Sequence, residues 1–231
     1  FERAEVKHAL AYLRLLENAN DDTSFLRVVN FPARGIGART VEQLQDAARA
    51  SGRSLAQSVG AVPGAAGRKL EGFVELVGRL RAATQGLTLR EIIEQVLQGS
   101  GLLDFYRTDK EGADRIENLE ELVNAAESFV TQEGFGKDAV ALPVDEQGGA
   151  PAAAPEAAPD ADTGEIMSPL AAFLTHASLE AGDNQAQAGA DAVQLMTVHS
   201  AKGLEFDAVF ITGLEEGLFP HENALSDGDG L

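Results

Sequence analysis

Two short stretches of this chain gather residue types that do chemistry. The first is His199-Ser-Ala-Lys-Gly-Leu-Glu205, which puts an imidazole, a hydroxyl, an ammonium, a glycine and a carboxylate within seven positions. Lys202 and the small polar groups suit a phosphate or a nucleic-acid backbone. Glu205, two positions after Gly203, suits a ribose hydroxyl or the water of a bound metal. The same residues also fit a solvated loop between two core strands. The second stretch is Arg34-Gly-Ile-Gly37, followed at once by a helical pattern. Two glycines allow a tight turn and close approach of a partner, and a new helix points free N–H groups outward. Arg27, Arg34, Arg39, Arg49 and Arg53 against Glu42 and Asp46 leave residues 25–53 at net +3. These are the parts of a hairpin that grips duplex phosphates without reading bases. A plain tight helix–helix turn uses the same residue types.

The elements that must position these stretches differ in kind. Val193–Val198 and Ala208–Thr212 are β-type runs flanking the first stretch, so strand, polar loop, strand is expected there. Around the second stretch everything reads as helix. Val6, Ala9, Leu10, Leu13 and Leu16 form one apolar stripe with charges opposite. Asp21-Asp22-Thr23-Ser24 supplies capping oxygens for a short helix through Phe25, Val28 and Val29, which Phe31-Pro32 ends. A further helix runs through Val41, Leu44 and Ala48, with Thr40 and Gln43 at capping-box spacing and the true cap up to two residues earlier. Ser54 with Gln57 repeats that signature, and Gly60–Gly67 reads as a turn-rich break. Leu70, Phe73, Val74, Val77 and Leu80 mark a long helix ending near Gly86. Thr88 with Glu91 opens the next, through Ile92, Ile93, Val96 and Leu97 to Gly99. After Leu102–Tyr106, a helix carries Ile116, Leu119, Leu122, Val123, Ala126 and Phe129. Residues 1–130 are therefore expected to be a compact helical domain without strands.

Residues 131–168 change character. Five of the eight prolines fall between Pro143 and Pro169, and the Ala/Pro run from Ala150 to Asp162 lacks the apolar bulk to offset ordering entropy. It reads as a flexible, disordered insert. Ser168-Pro169 then caps and starts a last helix through Leu170, Phe173, Leu174 and Ala177, with a loop to residue 190.

Composition bounds the partners. Net charge is −19, yet residues 1–100 carry 13 Lys and Arg against 11 Asp and Glu, while residues 101–231 carry 5 against 26. The acidity belongs to the second part, and the first remains able to meet a phosphate backbone. With no cysteine there are no disulfides or thiolate sites. No apolar run is long enough to span a bilayer, so no membrane association is expected. His8 and His176 lack a second ligand at metal spacing and read as structural; no metal site is expected. Tyr12, Tyr106 and the phenylalanines follow the helical stripes and read as core. Glu215 and Glu216 read as turn residues.

Thr197-Val-His-Ser-Ala-Lys-Gly-Leu-Glu-Phe206 closely resembles the fifth conserved motif of UvrD/PcrA/Rep-type superfamily 1 DNA helicases of bacteria. Phe1-Glu-Arg-Ala-Glu-Val-Lys7, Ala11-Tyr-Leu-Arg14, Arg34-Gly-Ile-Gly37, Arg115-Ile-Glu-Asn-Leu-Glu-Glu-Leu122, Phe173-Leu-Thr-His-Ala-Ser-Leu179 and Gly213-Leu-Glu-Glu-Gly-Leu-Phe-Pro-His221 match in the family's order. The resemblance spans the chain apart from the Pro/Ala insert. It implies a mainly α fold: a helical accessory (2B) subdomain over 1–130, interrupted by the 131–168 insert and completed by 169–190. Residues 191–231 would then begin a RecA-like 2A motor lobe with two strands. It further implies duplex-DNA contacts at Arg34, Gly35, Ile36, Gly37, Arg39 and Thr40. Thr197, His199, Ser200, Lys202 and Gly203 would couple single-stranded DNA to the motor, and Glu205 would lie near the ribose of ATP. Implied for the whole protein are ATP and Mg2+, 3′-to-5′ unwinding in repair or replication, a bacterial cytoplasmic, nucleoid-associated setting, and contacts with its other motor lobes and with repair or replication proteins.

Phosphoryl-transfer motors need a glycine-rich loop ending Gly-Lys-Ser/Thr and acidic magnesium ligands. The loop is not found here: Ala201-Lys-Gly203 lacks the preceding cradle, and no arginine-bearing final motif occurs before Leu231. The ends of the chain read as those of a piece of a longer protein, expected to bind no nucleotide and to be inactive alone. A protein-interaction or autoinhibitory module that does not bind DNA is the alternative expectation, favoured by the acidic second part. A stand-alone α/β metabolic enzyme is more remote, for want of the nucleotide loop.

Overall fold

The computed structural model describes residues 1–110, 112–142 and 167–180, together with Val193, Met196, Ala201 and residues 205–212. The chain divides into two units, Phe1–Gln185 and Ala186–Leu231.

The first unit is helical. Its order is α1 (Ala4–Glu17), α2 (Asp22–Val28), α3 (Ala38–Ser51), α4 (Leu55–Ser58), a 3-10 turn (Val59–Ala61), α5 (Gly64–Thr84), α6 (Leu89–Gly99), α7 (Leu102–Thr108), α8 (Gly112–Gln132) and α9 (Pro169–Glu180). The caps follow from sequence chemistry. Asp21 accepts from the Ser24 amide, Ser54 from that of Gln57, and Ser168 from that of Ala171. Thr88 and Glu91 form a reciprocal capping box at the start of α6.

Helix α1 is the axis of the unit. It packs on α2, α5, α6, α8 and α9, and Ala9, Leu10, Ala11, Tyr12 and Leu13 are consecutively buried. The single apolar stripe expected of this helix is therefore too narrow, because neighbours surround it on several sides. Even Glu5 is buried. Its carboxylate accepts from Asn118 Nδ2 at 2.7 Å and lies 3.7 Å from an Arg115 Nη1.

Three boundaries differ from the sequence reading. Helix α5 starts at Gly64, inside the expected Gly60–Gly67 break; Gly67 packs there against the Val62 carbonyl, where no Cβ would fit. Helix α3 is capped by Gly37, not Thr40. Helix α8 runs to Gln132 and the chain is held to the unit again at residues 139–142, within the span expected as a flexible insert. Ala141 N–H donates to Leu87 O and Gly86 N–H to Leu142 O, both at 2.9 Å, and Ala139, Ala141 and Leu142 are buried. Those apolar side chains and ladder-like bonds offset the entropy of ordering residues 139–142. The rest of the expected insert, 143–166, lies outside the described residues.

In the second unit the first expected strand, Val193–Val198, falls almost wholly outside the described residues. The second, Ala208–Thr212, is irregular, with Val209, Phe210 and Ile211 exposed. A strand is stable only with neighbours to pair its backbone and cover one face. Among the described residues none pairs with this segment. The mainly α fold stands on the first unit.

Candidate nucleic-acid interface

The chain leaves α2 at Val28 and enters α3 at Ala38, and Asn30 shapes the turn between them. Its Oδ1 accepts from the amides of Arg34 at 2.8 Å and Ile36 at 3.0 Å. A short amide side chain can close such a loop onto itself. Between these anchored amides Gly35 adopts φ 69°, the left-handed region that an L side chain disfavours. Ile36 turns inward and is 2% exposed, fixing the turn to the core.

Gly37 needs its missing side chain for a different reason. Its φ of −83° is ordinary, and a Cβ there would meet nothing within 4 Å. What the glycine leaves is bare backbone at the surface. No side chain caps α3, so the amides of Ala38 and Arg39 in its first turn are open to an external acceptor, and the helix dipole favours an anion there. Arg39 is exposed beside them, and Thr40 is half-buried with its amide on Gly37 O at 3.0 Å.

Arg34 faces the other way. One terminal nitrogen donates to Val28 O at 3.0 Å and Pro32 O at 3.1 Å. The other donates to Tyr12 Oη at 2.6 Å and Ser100 O at 3.0 Å. The guanidinium also lies over the rings of Phe73 and Tyr12, 5.3 and 5.8 Å from their centroids. All hydrogens on its two terminal nitrogens thus have acceptors inside the protein, an arrangement in which the expected phosphate ligand Arg34 instead holds the turn. It pins the hairpin to α1, α5 and the end of α6. Tyr12 passes the chain on, donating to Phe31 O at 2.6 Å. Burial raises the pKa of this phenol, and the charge of Arg34 partly opposes the shift.

Lys69, from α5, reaches the turn from outside and donates from Nζ to Gly35 O at 2.9 Å. Sequence reasoning missed it, since nothing in the local pattern ties residue 69 to residue 35. Asn30 was legible in principle from its spacing to the glycines. Tyr12 was assigned to the core, where its ring does lie, but its hydroxyl serves the hairpin.

Of the second candidate group, Thr197, His199, Ser200, Lys202 and Gly203 lie outside the described residues. Glu205 is described, exposed on irregular backbone. A single exposed carboxylate does not make a site for ATP and magnesium. Among the described residues no cluster of three His, Asp or Glu could hold a metal, and no helix is long and apolar enough to cross a membrane.

The family of UvrD-like helicase C-terminal domains matches residues 1–229. The chain is 42% identical to DNA helicase II of Escherichia coli K12 over 239 residues, covering 100% of this chain and 29% of that protein. It is 42% identical to DNA helicase II of Haemophilus influenzae over 228 residues, 95% of this chain and 27% of the relative. It is 32% identical to the ATP-dependent DNA helicase PcrA of Bacillus subtilis over 240 residues, 98% of this chain and 28% of the relative. The chain therefore spans less than a third of the length of these curated relatives.

Proposed function

The chain belongs to the family of UvrD-like helicase C-terminal domains, and from that premise we propose that it is the duplex-contacting, regulatory 2B part of an ATP-dependent 3′-to-5′ DNA helicase acting in repair or replication. The observation that carries this reading is the glycine hairpin: bare backbone at Gly37, uncapped amides at the start of α3, and exposed Arg39 beside them. Such a surface accepts phosphate oxygens of any sequence, as a module riding on duplex must. Gly35, Ile36 and Arg34 shape it; Gly37, Arg39 and Thr40 present it.

Thr197, His199, Ser200, Lys202 and Gly203 belong in this reading to the family's fifth motif, coupling single-stranded DNA to the nucleotide site, with Glu205 near the ribose. ATP and Mg2+ serve the whole protein; this sequence has no phosphate loop, so beyond Glu205 at the ribose it supplies no group for the phosphates or the metal. The chain by itself then neither hydrolyses ATP nor unwinds DNA. Its other partners are the remaining motor lobes, repair or replication proteins and single-stranded DNA, within the bacterial cytoplasm and nucleoid. The 26 acidic residues of positions 101–231 favour a second reading, an interaction or autoinhibitory module.

The two readings separate in a titration of labelled duplex with the 231-residue chain at low and moderate salt. Weak binding that falls as salt rises, and falls further with Arg39→Ala, supports duplex contact. Absence of binding at low salt supports the interaction module.

A further inference from the structure

We propose that Lys69 is a duplex-phosphate contact of this surface, supplied from α5 rather than from the α2–α3 hairpin; the proposal rests on the duplex-contact reading above. The hairpin's own arginine cannot serve, because the terminal nitrogens of Arg34 are committed to Tyr12, Val28, Pro32 and Ser100. Lys69 is exposed and holds its ammonium 2.9 Å from Gly35 O. An ammonium carries three donors, of which this bond uses one, so two remain for phosphate oxygens.

Its placement is specific. A Cβ built on Gly35 would sit 2.7 Å from the Lys69 Nζ, so the ammonium occupies the space that the missing side chain leaves beside the turn. Some other cations of the unit lie beside carboxylates: Arg49 by Asp46, Arg79 by Glu75, and Arg90 by Glu94 and Glu127. Among the described residues no carboxylate pairs with Lys69, and Arg68 beside it is also exposed. A tethered, unpaired ammonium is a point charge suited to sequence-independent phosphate binding. Lys69 would thus have two functions in one bond network, holding the Gly35 carbonyl and carrying a free charge next to the turn.

The test is a salt titration of the 231-residue chain on a fluorescent blunt duplex, comparing wild type with Lys69→Gln, Lys69→Arg, Arg39→Ala and Lys137→Gln. Lys137 is exposed beyond α8, so its variant controls for loss of one positive charge elsewhere. The expected result for Lys69→Gln is several-fold weaker binding at low salt. The slope of log K against log salt should shrink by about 0.9, one phosphate's share. Lys69→Arg should restore the slope, and Lys137→Gln should leave it unchanged. A purely structural Lys69 would leave the slope intact, and that outcome overturns the proposal. If Arg39→Ala lowers the slope and Lys69→Gln does not, the proposal falls and the duplex-contact reading stands. If wild type does not bind duplex at low salt, both fall. Matching thermal melts of wild type and Lys69→Gln would show that the exposed substitution leaves the fold intact.

Discussion

The guanidinium of Arg34 donates to the hydroxyl of Tyr12 across 2.6 Å, and that hydroxyl donates onward to Phe31 O at 2.6 Å. A residue of the glycine hairpin is thereby tied, through a buried tyrosine, to the central helix of the unit. The hairpin is not a loop resting on the surface; its geometry is set by α1.

Arg34→Ala should therefore act on stability first. It strands the carbonyls of Val28 and Ser100 and the Tyr12 hydroxyl, and should destabilise the helical unit by about 2–4 kcal/mol in urea unfolding. Tyr12→Phe should cost about 1 kcal/mol. In a double-mutant cycle the two should couple by more than about 0.5 kcal/mol. Additive effects would mean that the Arg34–Tyr12 bond carries no stability.

The two glycines of the hairpin should behave differently. Gly35→Ala meets a φ of 69° and the Lys69 ammonium, and is expected to lose about 1 kcal/mol of stability. Gly37→Ala has an ordinary φ and open space, so its stability loss should be limited to the poorer N-cap that alanine makes, a few tenths to about 1 kcal/mol. Its added methyl lies on the face assigned to phosphate, and duplex affinity should fall. A Gly37→Ala chain that binds duplex as wild type does would remove Gly37 from the interface.

His8 stacks on Phe31, centroids 3.8 Å apart, with Nδ1 3.2 Å from the Tyr106 hydroxyl. Burial first, then the charge of Arg27, lowers its pKa from 6.5 to about 4. The unfolded chain then binds the proton that the folded chain refuses between these values. The stability tied to neutral His8 is thus full above pH 6.5 and is lost as pH falls toward 4. Since the imidazole is only half-buried, solvent screening trims the effect to about 1–2 kcal/mol. Urea midpoints of wild type and His8→Gln across that range should show a shallower pH slope for the variant; parallel slopes would contradict the assignment.

The chain alone should show no DNA-stimulated ATPase activity, because the phosphate loop is absent from the sequence. A rate in highly purified protein that disappears with Glu205→Ala would contradict this.

The helices were legible from their apolar periods, and three also from a local start signal: Thr88 with Glu91, Ser54 with Gln57, Asp21 ahead of Phe25. What escaped the sequence was set by distance along the chain. The burial of α1 on several sides depends on helices as remote as α8 and α9. The order of Ala139–Leu142 depends on pairing with Gly86 and Leu87. The hairpin was found from its glycines and arginines, but which arginine faces outward could not be read from residue types. Arg34 and Arg39 look equivalent in sequence; only the positions of Tyr12 and Ser100 turn the first inward. Lys69 was invisible for the same reason. The run Ala208–Thr212 has strand composition without, among the described residues, the pairing that a strand requires.

The central claim, that the glycine hairpin meets duplex phosphates through its outward groups while Arg34 only holds it in place, is tested most directly by salt titrations of duplex binding for wild type, Arg39→Ala and Arg34→Lys. The account expects Arg39→Ala to shrink the slope of log K against log salt by about 0.9. Arg34→Lys should weaken binding at every salt concentration with the wild-type slope. A reduced slope for Arg34→Lys, or an unchanged one for Arg39→Ala, would contradict it.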